Sequence, residues 1–131
     1  MKRWSALLAV PALAVATLAV AQTPKFQGGD DYQAFCASCH GSEGKGDGVV
    51  AASLKRRPAD LTQLARKNAG VFPADRVSKT IDGGAATHGG STDMPEWASV
   101  FAKSRESGSP DDVKARIDAL VKFIGRIQAK S

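Results

Sequence analysis

"CASCH", Cys36 to His40, decides how this chain is read. It contains the only two cysteines of the 131 residues and one of the two histidines. The stretch before it, "GGDDYQAF", begins with glycines and two aspartates, and acidic residues suit a helix N-terminus. Tyr32, Phe35, Cys36 and Cys39 then recur at helical spacing on one apolar face. The first cysteine is therefore expected on the last turns of a short helix. The stretch after it, "GSEGKGDGVVAASLKRRP", carries four glycines in its first eight residues and reads as a loop.

Three chemistries compete for a Cys-x-x-Cys-His run. A redox dithiol of the thioredoxin kind normally accompanies a strand-helix-strand pattern. None is visible here, and a dithiol leaves the adjacent histidine unexplained. A structural zinc site takes four ligands, and Cys36, Cys39, His40 and His88 supply that number. Adjacent Cys39 and His40 are awkward as two ligands of one tetrahedral ion. The third chemistry is covalent attachment of a c-type haem. Two thioether bonds would fix the ring against the helix end. The histidine beside the second cysteine would then lie beneath the iron as its proximal ligand. The spacing favours this third reading.

Haem iron takes a second axial ligand, and the expected donor is Met94. It lies in the glycine-rich "AATHGGSTDMPEW", where a methionine has no apolar stripe to join. Pro95 follows it directly, which biases Met94 toward an extended backbone and stiffens the thioether's presentation. His/Met ligation is the high-potential arrangement. His88 is the rival ligand, six residues earlier in the same loop, so the two compete for one position. Trp97 is a candidate cover for the haem edge or a donor to a haem carboxylate.

The N-terminus carries a different signal. Lys2 and Arg3 precede an uncharged run from Trp4 to Pro24, and the run closes on Ala19-Val20-Ala21. A basic start, an apolar middle and a small-x-small end form a secretory signal peptide. The expected organisation is a signal peptide over 1–21 and one domain over 22–131. An uncleaved membrane anchor is the alternative; with cleavage, no stable membrane span remains. Cleavage leaves 110 residues (131 less 21) and Met94 as the single methionine. Of 18 basic residues, 16 remain without Lys2 and Arg3, against 13 acidic ones, a net charge of +3. The charges are scattered, so nucleic-acid binding is not indicated. The densest basic stretch, Lys55 to Arg57, reads as solvated surface or as a docking patch for an acidic partner.

The remaining elements read as helices. "ADLTQLARKNAG" is expected as a short helix with Asp60 as N-cap and Gly70 as terminator. "FPADRVSKTIDGG" is expected as another, ended by Gly83 and Gly84. "ASVFAK" has room for one or two turns. In "SPDDVKARIDALVKFIGRIQAK", Ser109 is the N-cap and Pro110 takes the first helical position. Val113, Ile117, Leu120, Val121, Ile124 and Ile127 form an apolar stripe at 3.6-residue spacing. Gly125 within it marks a close crossing with another helix. No convincing strand is present, and the domain reads as all-α.

On these residues the chain resembles the class I cytochromes c, small bacterial periplasmic members above all. Gly28 and Tyr32 precede Cys36 as in that family's N-terminal helix. "LVKFI", with Leu120 and Phe123, is similar to its C-terminal helix signature, and Met94-Pro95 to its distal ligand pair. "GDG", "RPADLT", "IDGG" and "MPEW" strengthen the likeness, which spans Gly28 to Ala129. The resemblance implies a cytochrome c fold, with N- and C-terminal helices crossing near the glycine around one haem c. Cys36 and Cys39 would bind it covalently, and His40 and Met94 would ligate the iron. One departure stands out. Many members have a proline about a dozen residues after the haem histidine, whose carbonyl accepts the histidine Nδ1 proton. Ala52 occupies that place here, so Pro58 is the candidate. Arg56 and Arg57 are candidate partners of the haem carboxylates. The implied function is one-electron transfer in the periplasm between protein donors and acceptors, without enzymatic turnover. The alternatives are the electron-accepting subunit of a dehydrogenase and, further off, a peroxidase or gas-binding protein.

Overall fold

The computed structural model describes residues 25–83, 94–106 and 108–130. The expected signal peptide and His88 lie outside the described residues. Among the described residues five α-helices occur in order: α1 (Gly28–Phe35), α2 (Ala37–His40), α3 (Ala74–Asp82), α4 (Trp97–Ala102) and α5 (Pro110–Arg126). Three single 3₁₀ turns lie between α2 and α3, at Ala51–Ser53, Leu61–Gln63 and Arg66–Asn68. No strand occurs among the described residues, in line with the all-α expectation.

The terminal helix organises the rest. Ser109 caps α5 by accepting from the Asp112 N–H at 3.1 Å, and Pro110 occupies its first turn. Its stripe buries Ile117, Leu120, Val121 and Ile124. Those side chains meet Tyr32 of α1, Val77 and Ile81 of α3, and Phe101 of α4 in one core. α5 thus packs against α1, α3 and α4. The α1–α5 crossing lies where the resemblance put it. Gly28 is buried there, and a Cβ on it would run into the Ala119 carbonyl oxygen of α5. Tyr32 and Phe123 pack beside the crossing with ring centroids 5.0 Å apart.

Two expectations differ from the structure. The helix expected over residues 59–70 is broken into two 3₁₀ turns. Asp60 does cap, accepting from the Thr62 N–H at 2.9 Å. An α-helix would next bond the Ala65 N–H to the Leu61 carbonyl. The Gln128 side-chain amide stands between them instead. Its Nε2 donates to the Leu61 carbonyl at 2.7 Å, and its Oε1 accepts from the Ala65 N–H at 2.8 Å. Gly125, in turn, does not mark a helix crossing. It makes room for the Phe72 ring, whose Cε1 lies 3.2 Å from where a Cβ would stand.

Candidate haem site

The attachment motif sits at a break between two helices. Cys36 ends α1 and starts α2, donating its N–H to the Tyr32 carbonyl at 2.9 Å. α2 is one turn long, and the last four carbonyls of any helix lack intrahelical partners. The glycine-rich loop supplies them. Gly46, Gly48 and Val50 donate N–H groups to the carbonyls of His40, Cys39 and Ser38 at 2.8, 3.1 and 3.1 Å. This close approach requires glycine at 48, where a Cβ would strike the Ser38 carbonyl oxygen. From below, the buried Tyr32 hydroxyl donates to the Gly41 carbonyl at 2.7 Å. Burial pushes the Tyr32 phenol up to about 12, with Cys36 and Asp47 adding to it.

The loop also orients His40. Its Nδ1 lies 3.0 Å from the Ala59 carbonyl oxygen. A carbonyl only accepts, so Nδ1 carries a proton, and Nε2 is the ring nitrogen that would ligate iron. The role expected of the Pro58 carbonyl falls to the next residue. Pro58 instead directs its carbonyl at Gly46, where a Cβ would meet it. The Leu61 N–H, bonded to the Gly44 carbonyl at 2.7 Å, pins this segment against the motif loop.

Cys36, Cys39 and His40 open onto a cavity of about 500 Å³ that Met94 and Pro95 also line. Its apolar walls come from Phe35, Leu54, Leu61, Leu64, Val77 and Ile81. Trp97 and Ile124 complete the lining from α4 and α5. Cofactor sites occupy about 300 to 1,000 Å³ with mostly apolar walls and a few placed polar groups. The donor set fits a c-type haem: two thiols outside any disulfide, one imidazole held through Nδ1 and one thioether around an apolar slot. Burial pushes the Cys36 thiol up to about 12, with Asp31 and Cys39 contributing. Among the described residues, no group of three or more His, Cys, Asp or Glu residues is arranged to hold a metal ion. The zinc arrangement would also need His88, which lies outside them.

All four expected site residues therefore line one cavity, although 54 positions separate Met94 from His40. Arg56, Arg57 and Trp97 line it too. Sequence reasoning missed Arg76, Thr80 and Ala59. Arg76, Val77, Thr80 and Ile81 recur at helical spacing, so one face of α3 looks into the cavity. That periodicity was the available signal for Arg76 and Thr80; a backbone carbonyl such as that of Ala59 leaves none.

A one-turn helix with a thiol at its start and a second thiol and an imidazole within it, facing an apolar slot beside a pair of crossed terminal helices, defines a monohaem c-type cytochrome domain. Residues 26–107 match the family model described as cytochrome c oxidase, cbb3-type, subunit III, and the chain belongs to this family of cytochrome c domains. Comparison with curated proteins and with solved structures finds no match. The cofactor is one covalently bound haem c, which the Cys36–Cys39 spacing fits. Such domains are extracytoplasmic, transfer electrons and typically serve as carriers rather than enzymes. No helix among the described residues is long and apolar enough to cross a membrane.

Proposed function

We propose that this chain is a periplasmic one-electron carrier with a signal peptide over 1–21 and a haem domain over 22–131. Cys36 and Cys39 would hold the haem covalently, and His40 and Met94 would ligate its iron. The observation that supports this is the single cavity shared by Cys36, Cys39, His40 and Met94. When bound, haem supplies reversible Fe(III)/Fe(II) chemistry. The chain's own residues set the conditions for it. Ala59 accepts the Nδ1 proton of His40, which fixes the imidazole's orientation and raises its basicity. Met94 offers a soft thioether, which favours the ferrous state. The leucine, valine and isoleucine walls give the site apolar surroundings. Arg56, Arg57 and Arg76 bring positive charge to the cavity, suited to the haem carboxylates. With His40 and Met94 both holding the iron, no position would be left for substrate, and electrons would pass to redox partner proteins through brief, small interfaces.

Spectroscopy of protein matured in the periplasm tests the ligation. A pyridine haemochrome assay should report one covalent haem. The ferric protein should show the weak red-region absorption of a thioether ligand. Met94→Ala should abolish that band and lower the midpoint potential by at least about 59 mV, a tenfold change for one electron. His88→Ala should leave both unchanged; the reverse pattern would make His88 the ligand.

A second reading is a haem subunit held in a larger redox complex. The matched family's description as an oxidase subunit favours it. Migration of the native protein as part of a stable assembly on size-exclusion, instead of as a monomer, would select it.

A further inference from the structure

The charged centre of the fold lies outside the haem slot. Arg116 of α5 is 4% exposed, which is rare for arginine without tight pairing. Its guanidinium grips Asp31 of α1 with two bonds, Nε to Oδ2 at 3.0 Å and Nη2 to Oδ1 at 2.6 Å. Nη1 donates to the Ser104 hydroxyl at 3.4 Å, just past the end of α4, and Glu106 lies 3.5 Å from Nη2. The same cation lies over Phe26, Phe35 and Phe101 at 5.4, 5.1 and 4.6 Å from their ring centroids. Phe35 is itself a wall of the haem cavity, so one ring separates the guanidinium from that cavity.

α4 depends on this centre. It has six residues and no side-chain cap, too short to persist without packing. Its large side chains are Trp97 and Phe101. They stack on each other at 5.7 Å and meet Phe35 edge-on at 5.6 and 5.5 Å. Phe101 is 1% exposed beneath the Arg116 cation. Met94 precedes Trp97 by three residues, and Glu96 between them lies against Gly83 at the end of α3. The stretch directly after the thioether is thus held by α3 at Glu96 and by the rings around Arg116 from Trp97 onward, and Met94 itself packs against the core.

We infer that the Asp31–Arg116 pair is a positioning device for Met94: it fixes α4 against α1 and α5 so that the thioether is held at the haem cavity. This rests on the reading of Met94 as axial ligand. Stability alone does not account for the pair. Apolar replacement of a buried ion pair is often neutral or stabilising, because both charges must be desolvated. What an apolar pair cannot supply is the planar fork that bonds Asp31 and Ser104 while lying over three rings.

The test uses the holoprotein and measures imidazole binding to the ferric form, since imidazole competes with Met94 for the iron. Asp31→Leu/Arg116→Met should keep the helical circular dichroism and cooperative melting. Its imidazole affinity should rise about tenfold, about 1.4 kcal/mol, as Met94 is held less well. Its red-region thioether band should weaken. Arg116→Lys keeps the charge without the fork and should fall between the double variant and the parent; it carries the test if the double variant does not fold. Met94→Ala sets the ceiling. An affinity within about twofold of the parent in the folded Arg116 variants, beside a raised affinity in Met94→Ala, overturns the positioning role alone. No rise in Met94→Ala overturns the ligation reading and this inference with it.

Discussion

Tyr32 joins the first helix to the attachment motif through one atom. Its hydroxyl donates to the Gly41 carbonyl at 2.7 Å in a fully buried setting. Tyr32→Phe keeps the ring against Phe123 and removes that bond. A buried acceptor left without a donor costs about 1–3 kcal/mol. For a domain of this size that is several degrees of melting temperature per kcal/mol, about 4–8 °C. The phenol also gives stability a pH dependence. Its value in the fold is raised from 10.0 to about 12, with burial the first cause. Between those limits the unfolded chain has lost the proton and the folded chain retains it. The contribution is therefore present below pH 10.0 and lost as pH rises toward about 12. Denaturant melts across that window should show a shallower decline for Tyr32→Phe than for the parent; equal slopes would refute the assignment.

At the same scale, local chemistry was the legible part of the site. Cys36, Cys39, His40 and Met94 announce themselves because few other residue types can do what they do. Arg116 gave no such notice. In a helix pattern an arginine reads as solvent-facing. Its burial depends on Asp31, 85 positions away, and on ring faces that only the fold assembles. Ala59 is invisible for another reason: any residue has a carbonyl, and its direction follows from backbone angles set by the loop. Pro58 was the noticeable residue, and the bond fell one place beyond it.

Among the elements, α5 and α3 were legible because capping residues and apolar periodicity agree within each segment. Ser109, Pro110 and the stripe point to one helix, and Gly83, with φ of 96°, ends the other. The segment 59–70 was misread because its local signals do favour a helix. A tertiary partner overrode them: the Gln128 amide occupies the hydrogen-bonding groups that the helical turn would pair. The α1–α5 crossing yields the prediction at this scale. A Cβ on Gly28 meets backbone, which cannot rotate away as a side chain can. Gly28→Ala must push the helices apart and loosen Tyr32, Leu120 and Phe123 together. Overpacking of this kind costs about 1–3 kcal/mol, and more where the backbone must shift. Thermal melts of the holoprotein should place Gly28→Ala well below Gly108→Ala, at a glycine with open space around it.

Over the whole molecule, the haem slot and the core share their walls. Val77 and Ile81 belong to the buried cluster that α5 organises, and they also line the 500 Å³ cavity. Only nine hydrophobic side chains are buried among the described residues, so the protein-only core is small. Cavity creation costs about 24 cal/mol per Å³, which puts about 12 kcal/mol on 500 Å³ as an upper bound for a slot partly open to solvent. The whole stability of a domain is about 5–15 kcal/mol. At that bound the haem's contacts are comparable to the whole stability, and water entering the slot does not restore the contacts that Val77 and Ile81 lose. Cys36→Ser/Cys39→Ser, which cannot form the thioether bonds, should yield a colourless chain. Its far-UV circular dichroism should retain helix, since α5 has its own cap and stripe. Its melting should lose cooperativity, and it should bind an apolar dye, the behaviour of a chain that keeps helices without fixed packing. A sharp melt close to that of the holoprotein would show that the protein-only core suffices, and that the haem is a passenger in a fold already complete.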